Sequence, residues 1–286
     1  MPGIYPKYSM RLTNLYEDAA SDLRRSDLAN EFIQALTSYL FKLSKVGGSL
    51  KHLATAEYNG GDHYCIASEA LDVPAILKSF LLIFIDSQYP DVSGTAAVLK
   101  TPIGKARYVV TVQADCSTLQ SLSFSVTSTN VRTTLRHELQ HILDYTRFKD
   151  KAGIANRAIV AMKKTDTSKM DDAELRLHRD AQATLYHNDA LETNAFFHNL
   201  AEPLLDRLRW LKRDSAAIEF FDDLPRDFRD YMAKHVAQWS DHAVVKQHWS
   251  KLNERNRRRA ISRLKQLFDL FWTEMAKYTD KSQEAH

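Results

Sequence analysis

The five residues His137-Glu138-Leu139-Gln140-His141 constrain this chain more than any other stretch, because what they can do depends on the backbone that carries them. On an α-helix, side chains four positions apart leave the same face, about 40° apart around the axis, so two imidazoles at that spacing reach one point. Leu135, Leu139, Ile142 and Leu143 recur at three- and four-residue intervals through the same segment, the pattern of an amphipathic helix. The spacing predicts a helix from Val131 to about Phe148, with Thr127, Ser128, Thr129 and Asn130 as candidates for its N-cap.

Two converging imidazoles are a seat for a divalent ion, and zinc is the ion expected at this pattern. Glu138, next to the first histidine, projects sideways toward a water in the ion's open position. A carboxylate there can take a proton while the water attacks a carbonyl carbon. A catalytic zinc takes three protein ligands. The best third candidate is Glu192, set between Leu191 and Ala195-Phe196-Phe197, an odd place for a surface acid and a natural one for an inward-facing ligand. It lies 51 residues beyond His141, enough for a loop and a further helix to return the segment antiparallel to the first. Asp189 and His198 are the fallback ligands. Asp144, one helical turn beyond His141, is placed to orient an imidazole by accepting its remaining N–H. Tyr145, Tyr186, His187 and His198 are all available to stabilise an oxyanion, and the sequence leaves that choice open.

These residues resemble the zincin metallopeptidases, and among them the gluzincins. In that family the two histidines of the His-Glu-x-x-His motif and a glutamate on a later helix hold zinc, and the motif glutamate is the general base. The resemblance implies His137, His141 and Glu192 as zinc ligands and Glu138 as base, acting on a protein or peptide substrate. HELQHILDY followed by ALETNAFF is also similar to small metallopeptidase-like proteins of phages and bacteria. The resemblance spans roughly residues 105 to 200 and is specific at HELQH. Two departures stand out. Thermolysin-like gluzincins carry an aspartate four residues after the ligand glutamate, where this chain has Phe196, and Asp144 stands where the metzincin extension would have glycine. The family also implies an edge strand that pairs with the substrate backbone by β-augmentation. Arg107 to Gln113 and Ser121 to Val126 are the candidates, the second slightly preferred because a one-sided polar strand suits an exposed position, with an internal strand as the equal alternative.

Glycine and proline number only 8 and 7 in 286 residues, which favours helices over a turn-dense sandwich or barrel. The expected class is α+β and predominantly helical, with a zincin-like core, a small sheet next to the active-site helix and a helical C-terminal region. Residues 13 to 45 have helical spacing, ended by Gly47-Gly48, and Asn59-Gly60-Gly61 is a second break. Pro74 can open a helix running through the apolar stretch Ser79 to Ile85 to about Gln88, closed by Tyr89-Pro90. After Pro102-Ile103-Gly104, Arg107 to Gln113 is β-branched and aromatic, as a strand should be. Ser121 to Val126 alternates strictly and predicts a strand with Leu122, Phe124 and Val126 on one face. Lys163 to Asp172 reads as a polar loop or a helix junction over the active cleft, and beyond it helices run to the end, punctuated by Pro203 and Pro225. The expected division is 1–55, an N-terminal helical segment; 56–200, the catalytic core; and 201–286, a helical region, the three packing as separate parts or as one compact unit.

Trp249 to Met275 predicts one long helix with an apolar stripe facing the core. Lys251 to Lys265 holds seven basic residues against one acid. That run is a solvated charged face or, as a functional alternative, a docking surface at Arg255 to Lys265 for nucleic acid or an acidic protein. Cys65 and Cys116 are expected as reduced core thiols. The longest apolar stretch is too short to span a bilayer, and MPGIYPKYSMRL lacks the apolar run of a secretory signal. A cytoplasmic setting is expected, the virion or host cytoplasm included for a viral protein. Peptide-bond hydrolysis leads. A catalytically silent zincin-fold structural protein, virion-associated, and a nucleic-acid-associated protein are the alternatives.

Overall fold

A computed structural model describes residues 19–48, 51–52, 63–86, 94–103, 105–148, 165–213, 224–239 and 243–284. Within them helices dominate, and five strands form one mixed sheet, an α+β arrangement. Helix α1, Ala19–Lys45, buries Leu23, Phe32, Ile33, Leu36 and Leu40 at helical spacing. It stops where expected, because Gly47 takes a positive φ of 65° that costs a glycine nothing. Residues 13–18, Asn59-Gly60-Gly61, Tyr89-Pro90, Gly104, the first part of the 163–172 loop and the 55/56 boundary lie outside the described residues.

The sheet runs in the order β1-β2-β3-β5-β4, from β1 (Lys51–His52), β2 (His63–Ala67), β3 (Phe80–Asp86), β4 (Gly94–Ile103) and β5 (Ala106–Ala114). Strand β3 pairs antiparallel with β2 and parallel with β5, and β4 closes antiparallel onto β5. The stretch after Pro74 is therefore not the expected helix. A single 3₁₀ turn, Ala75–Leu77, leads into β3. Alternate side chains explain the misreading: Phe80, Leu82 and Phe84 enter the main core while Leu81 and Ile83 enter a smaller cluster on the other face. A central strand buried on both faces has no alternation to reveal it.

The segment Ser121 to Val126 is corrected the other way. It lies in helix α2, Leu119–Thr127, whose first turn is capped by Thr118 Oγ1 accepting from Ser121 N at 2.9 Å. Leu122 and Val126 are buried, but Phe124 between them is 68% exposed. Two apolar residues four apart serve a helix as well as a strand, and the cap decides. The preferred candidate for a substrate-pairing edge is thus helical, and the other, within β5, is an internal strand. The edge on that side of the sheet is β4.

Helix α3, Thr129–Phe148, follows at once, with Ser128 Oγ accepting from Val131 N at 3.4 Å. It packs Leu135, Leu139, Ile142 and Leu143 with α1, α2 and the sheet into the main core. Helix α4, Asp172–His187, opens on a capping box between Asp171 and Glu174. Helix α5, Ala190–Arg213, contains Pro203 within its length rather than ending at it. Then come α6 (Phe228–Trp239), α7 (Ala243–Lys251) and α8 (Glu254–Glu284). The single helix expected from Trp249 to Met275 is thus two. Asn253 breaks it by capping α8, its Oδ1 accepting from Asn256 N at 2.9 Å. A second core joins α5, α6 and α8 through Leu204, Leu208, Tyr231, Leu264, Leu267 and Phe271, with Leu23 of α1. No helix among the described residues is long and apolar enough to cross a membrane. Cys65 and Cys116 are buried and unbridged.

Candidate metal centre

Among the described residues, His137, His141 and Glu192 form the group able to hold a metal ion. The two histidines come from one face of α3, and Glu192 from the first turn of α5, where Asp189 Oδ1 accepts from Leu191 N at 2.9 Å and Glu192 N at 3.4 Å. A helix N-terminus also favours a carboxylate electrostatically. His137 Nε2 and His141 Nε2 are 3.2 Å apart, and Glu192 Oε2 is 3.3 Å from the first and 3.5 Å from the second. All three side chains are mostly buried, Glu192 the least so.

So compact a cluster distorts its own titrations. Burial pushes the Glu192 carboxyl up, but hydrogen bonds and charge from His137 and His141 outweigh it and hold it well below its ordinary value. Burial works against a charged His141, yet Glu192 raises its pKa to about 9. Glu138, also buried, is pushed up chiefly by desolvation, against the pull of His137 and His141.

Glu138 is fixed from outside the helix as well. Gly94, at the start of β4, lies so close that a β-carbon there would meet Thr134 Cγ2 at 2.6 Å, Glu138 Cγ at 2.9 Å and Glu138 Oε1 at 3.0 Å. The strand passes against the carboxylate only because this residue has no side chain. Tyr145, one turn beyond His141, donates to Ala96 O of the same strand at 3.3 Å, so α3 holds the edge strand at two points.

The remaining sequence candidates separate. Asp189 caps α5 and is not in the ligand group, and His198 lies 3.6 Å from Asp22 in a different buried cluster. Asp144 does not bond to either imidazole. It accepts from Arg25 at 2.7 Å and from Asn194 at 3.0 and 3.3 Å, while Nδ1 of both His137 and His141 is buried without a partner. Of the four oxyanion candidates, Tyr186 is 36% exposed, and burial of its hydroxyl, followed by the charge of Glu192, pushes its pKa up. His187 pairs with His248 instead, Nδ1 to Nδ1 at 2.9 Å.

Phe196, which replaces the aspartate of the resembling family, packs edge-on to His137 with ring centroids 4.5 Å apart and stacks on His248 at 3.7 Å. Desolvation, with His187 next in effect, drives the His248 pKa down to about 3. It is therefore a neutral ring stacked behind Phe196, which in turn packs on His137. Neither His248 nor Gly94 was singled out by the sequence, and nothing local marks them, since each acquires its place through packing of elements distant in the chain.

The basic run is largely engaged. Arg263 is buried, bonded to Asp22 and Asn194. Arg257 donates to the carbonyls of Trp249 and Leu252, and Arg258 and Lys265 pair with Glu254 and Asp269 on their own helix. Comparison of this chain with protein-family models, curated proteins and solved structures gives no match.

Proposed function

We propose that this chain is a zinc-dependent peptidase of zincin type, with His137, His141 and Glu192 as ligands and Glu138 as general base. The triangle of donor atoms carries this reading. A tetrahedral zinc about 2.0–2.1 Å from its nitrogen and oxygen ligands separates them by about 3.3 Å, and the three edges here are 3.2, 3.3 and 3.5 Å. Octahedral magnesium at a similar bond length would need edges of about 2.9 Å and oxygen donors, and calcium would need more oxygens still. Two imidazoles and a carboxylate suit zinc.

When bound, zinc supplies a Lewis acid that polarises a carbonyl and lowers the pKa of water. Glu138 takes the proton from the attacking water and returns it to the leaving amine as the C–N bond breaks, so that water and peptide give an acid and an amine. Its burial beside the two imidazoles, with Gly94 against it, keeps the carboxylate in place for both halves of that transfer. Tyr186, partly exposed and within the electrostatic influence of Glu192, is the donor for the oxygen that gains charge.

Strand β4 favours a peptide over other carbonyl substrates. It is an edge strand of the sheet among the described residues, it contacts Glu138 through Gly94, and an extended chain can pair along it. A silent scaffold would have no use for a buried carboxylate held in this way.

Elemental analysis of protein purified without chelator, with a peptide-library digest as the assay, tests the reading. One zinc per chain is expected. Glu138→Gln should keep the metal and lose about 10²–10⁴-fold in turnover, and Tyr186→Phe should lower kcat with KM little changed. A protein that takes up no zinc at neutral pH, or a fully active Glu138→Gln, ends the proposal.

A further inference from the structure

The donor triangle has two kinds of edge. The edge between the histidines lies within α3 and is set by helix geometry alone. Both edges to Glu192 cross from α3 to α5, so they depend on how far apart and in what register those helices stand. Coordination tolerates errors of about 0.2 Å, which makes the helix-to-helix distance part of the site.

A buried polar chain runs between the two helices alongside the face that carries the histidines. On α3, Gln140 and Asp144 stand four apart and share a stripe beside His141. Arg25 of α1 donates to Gln140 Oε1 at 3.0 Å, Gln140 O at 3.2 Å and Asp144 Oδ1 at 2.7 Å. Asn194, two residues beyond Glu192 on α5, turns its Nδ2 to both Asp144 oxygens, at 3.0 and 3.3 Å, and its Oδ1 to Arg263 Nη1 of α8 at 3.0 Å. Arg263 is then held by both carboxylate oxygens of Asp22 on α1. The ring of contacts closes from α1 through α3, α5 and α8 back to α1.

Its two arginines and two aspartates balance in charge, and all are buried. Asn194 is the joint. Its amide must present N–H to a carboxylate and C=O to a guanidinium, a demand that neither aspartate nor leucine meets.

We propose that Asp144 and Asn194 are positioning residues of the metal centre. Braced by Arg25 and Arg263, they fix the separation of the two ligand-bearing helices and thereby its affinity for zinc. This rests on the metal-site reading above. It differs from the arrangement expected from sequence, in which Asp144 would orient an imidazole directly.

The test measures zinc affinity of the full chain by competition with a chromophoric chelator, beside thermal unfolding of the metal-free protein. Asn194→Ala and the isosteric Asp144→Asn are compared with Leu36→Ala, a core truncation that touches none of the bridge. The bridge variants are expected to lose about 10–100-fold in affinity, the usual effect of removing groups that hold ligands in place. Leu36→Ala should lower the melting temperature and leave affinity unchanged. If the parent binds zinc and a folded bridge variant binds it equally well, or if Leu36→Ala weakens binding as much, the positioning role is overturned while the metal site stands. A parent that binds no zinc overturns both.

Discussion

A methyl group added at Gly94 tests the contact between strand β4 and Glu138, the proposed general base. The new β-carbon would lie 2.6 Å from Thr134 Cγ2, 2.9 Å from Glu138 Cγ and 3.0 Å from Glu138 Oε1, where ordinary carbon contacts are about 3.5–4.0 Å. About 1 Å of relief is needed, either by lifting the strand from α3 or by displacing Glu138. Tyr145 pins the strand through Ala96, so the side chains bear most of it. Overpacking of this kind costs about 1–3 kcal/mol of stability, and a 1 Å displacement of a reacting group costs about 10²-fold in rate. No ligand atom is among the three contacts, so zinc affinity should be unchanged. Peptide hydrolysis by Gly94→Ala is therefore expected to fall about 10²-fold at full metal occupancy, mainly in kcat. Adding Thr134→Ser, which removes Cγ2, should recover part of the stability and less of the rate, since Glu138 remains crowded. Undiminished hydrolysis by a stable Gly94→Ala would refute the contact, and loss of metal would show that the strand supports the ligands rather than the base.

Two further outcomes follow from burial and charge. Leu122→Ala should cost about 2–5 kcal/mol and Phe124→Ala under about 0.5 kcal/mol, read by chemical denaturation; equal losses would restore the strand that the alternation predicts. In the metal-free protein His141 has its pKa raised from 6.5 to about 9 by Glu192. A raised pKa gives stability that is complete below the unfolded value and is lost as pH rises through the folded one. Glu192, depressed below 4.5, gives stability that is present above that value and is lost as pH falls through its folded pKa. The contribution of the pair is thus greatest between about pH 4.5 and 6.5 and declines toward pH 9, by at most about 1.4 kcal/mol per unit. Denaturation with chelator at pH 6 and pH 9 measures the decline, which Glu192→Gln should abolish; a decline that persists in that variant would assign it elsewhere.

The helix of His137 and His141 was legible because periodicity, cap and chemistry agreed within one short segment. Helix α1 was legible for the same reason, its stripe ending at a glycine that takes positive φ. The failures share a cause. Phe80–Asp86 and Leu119–Thr127 are too short for period alone to separate helix from strand. What decides them is nonlocal for β3, which needs strands on both sides, and for α2 a threonine cap with the burial of Leu122 and Val126. Strand β4 went unread because its Gly-Thr-Ala-Ala opening has little β-propensity, and its close approach to Glu138 is what requires the glycine.

The supports of the centre differ from its ligands in the kind of information they need. Glu192 was found from its neighbours, since an acid among apolar residues has to face a partner. Arg263 had the opposite setting, a basic run that reads as solvated, although its partner Asp22 lies 241 positions away. Arg25 reaches Gln140 across 115. Burying an arginine is tolerable only where a carboxylate waits for it, and no window on the sequence contains both. A motif therefore names the donor atoms, while residues near both ends of the chain hold the gap between the helices that present them. On the proposal above, substitution at Asn194 would leave HELQH and Glu192 intact and still weaken the hold on zinc, because the separation of the two helices is set by residues that the motif does not contain.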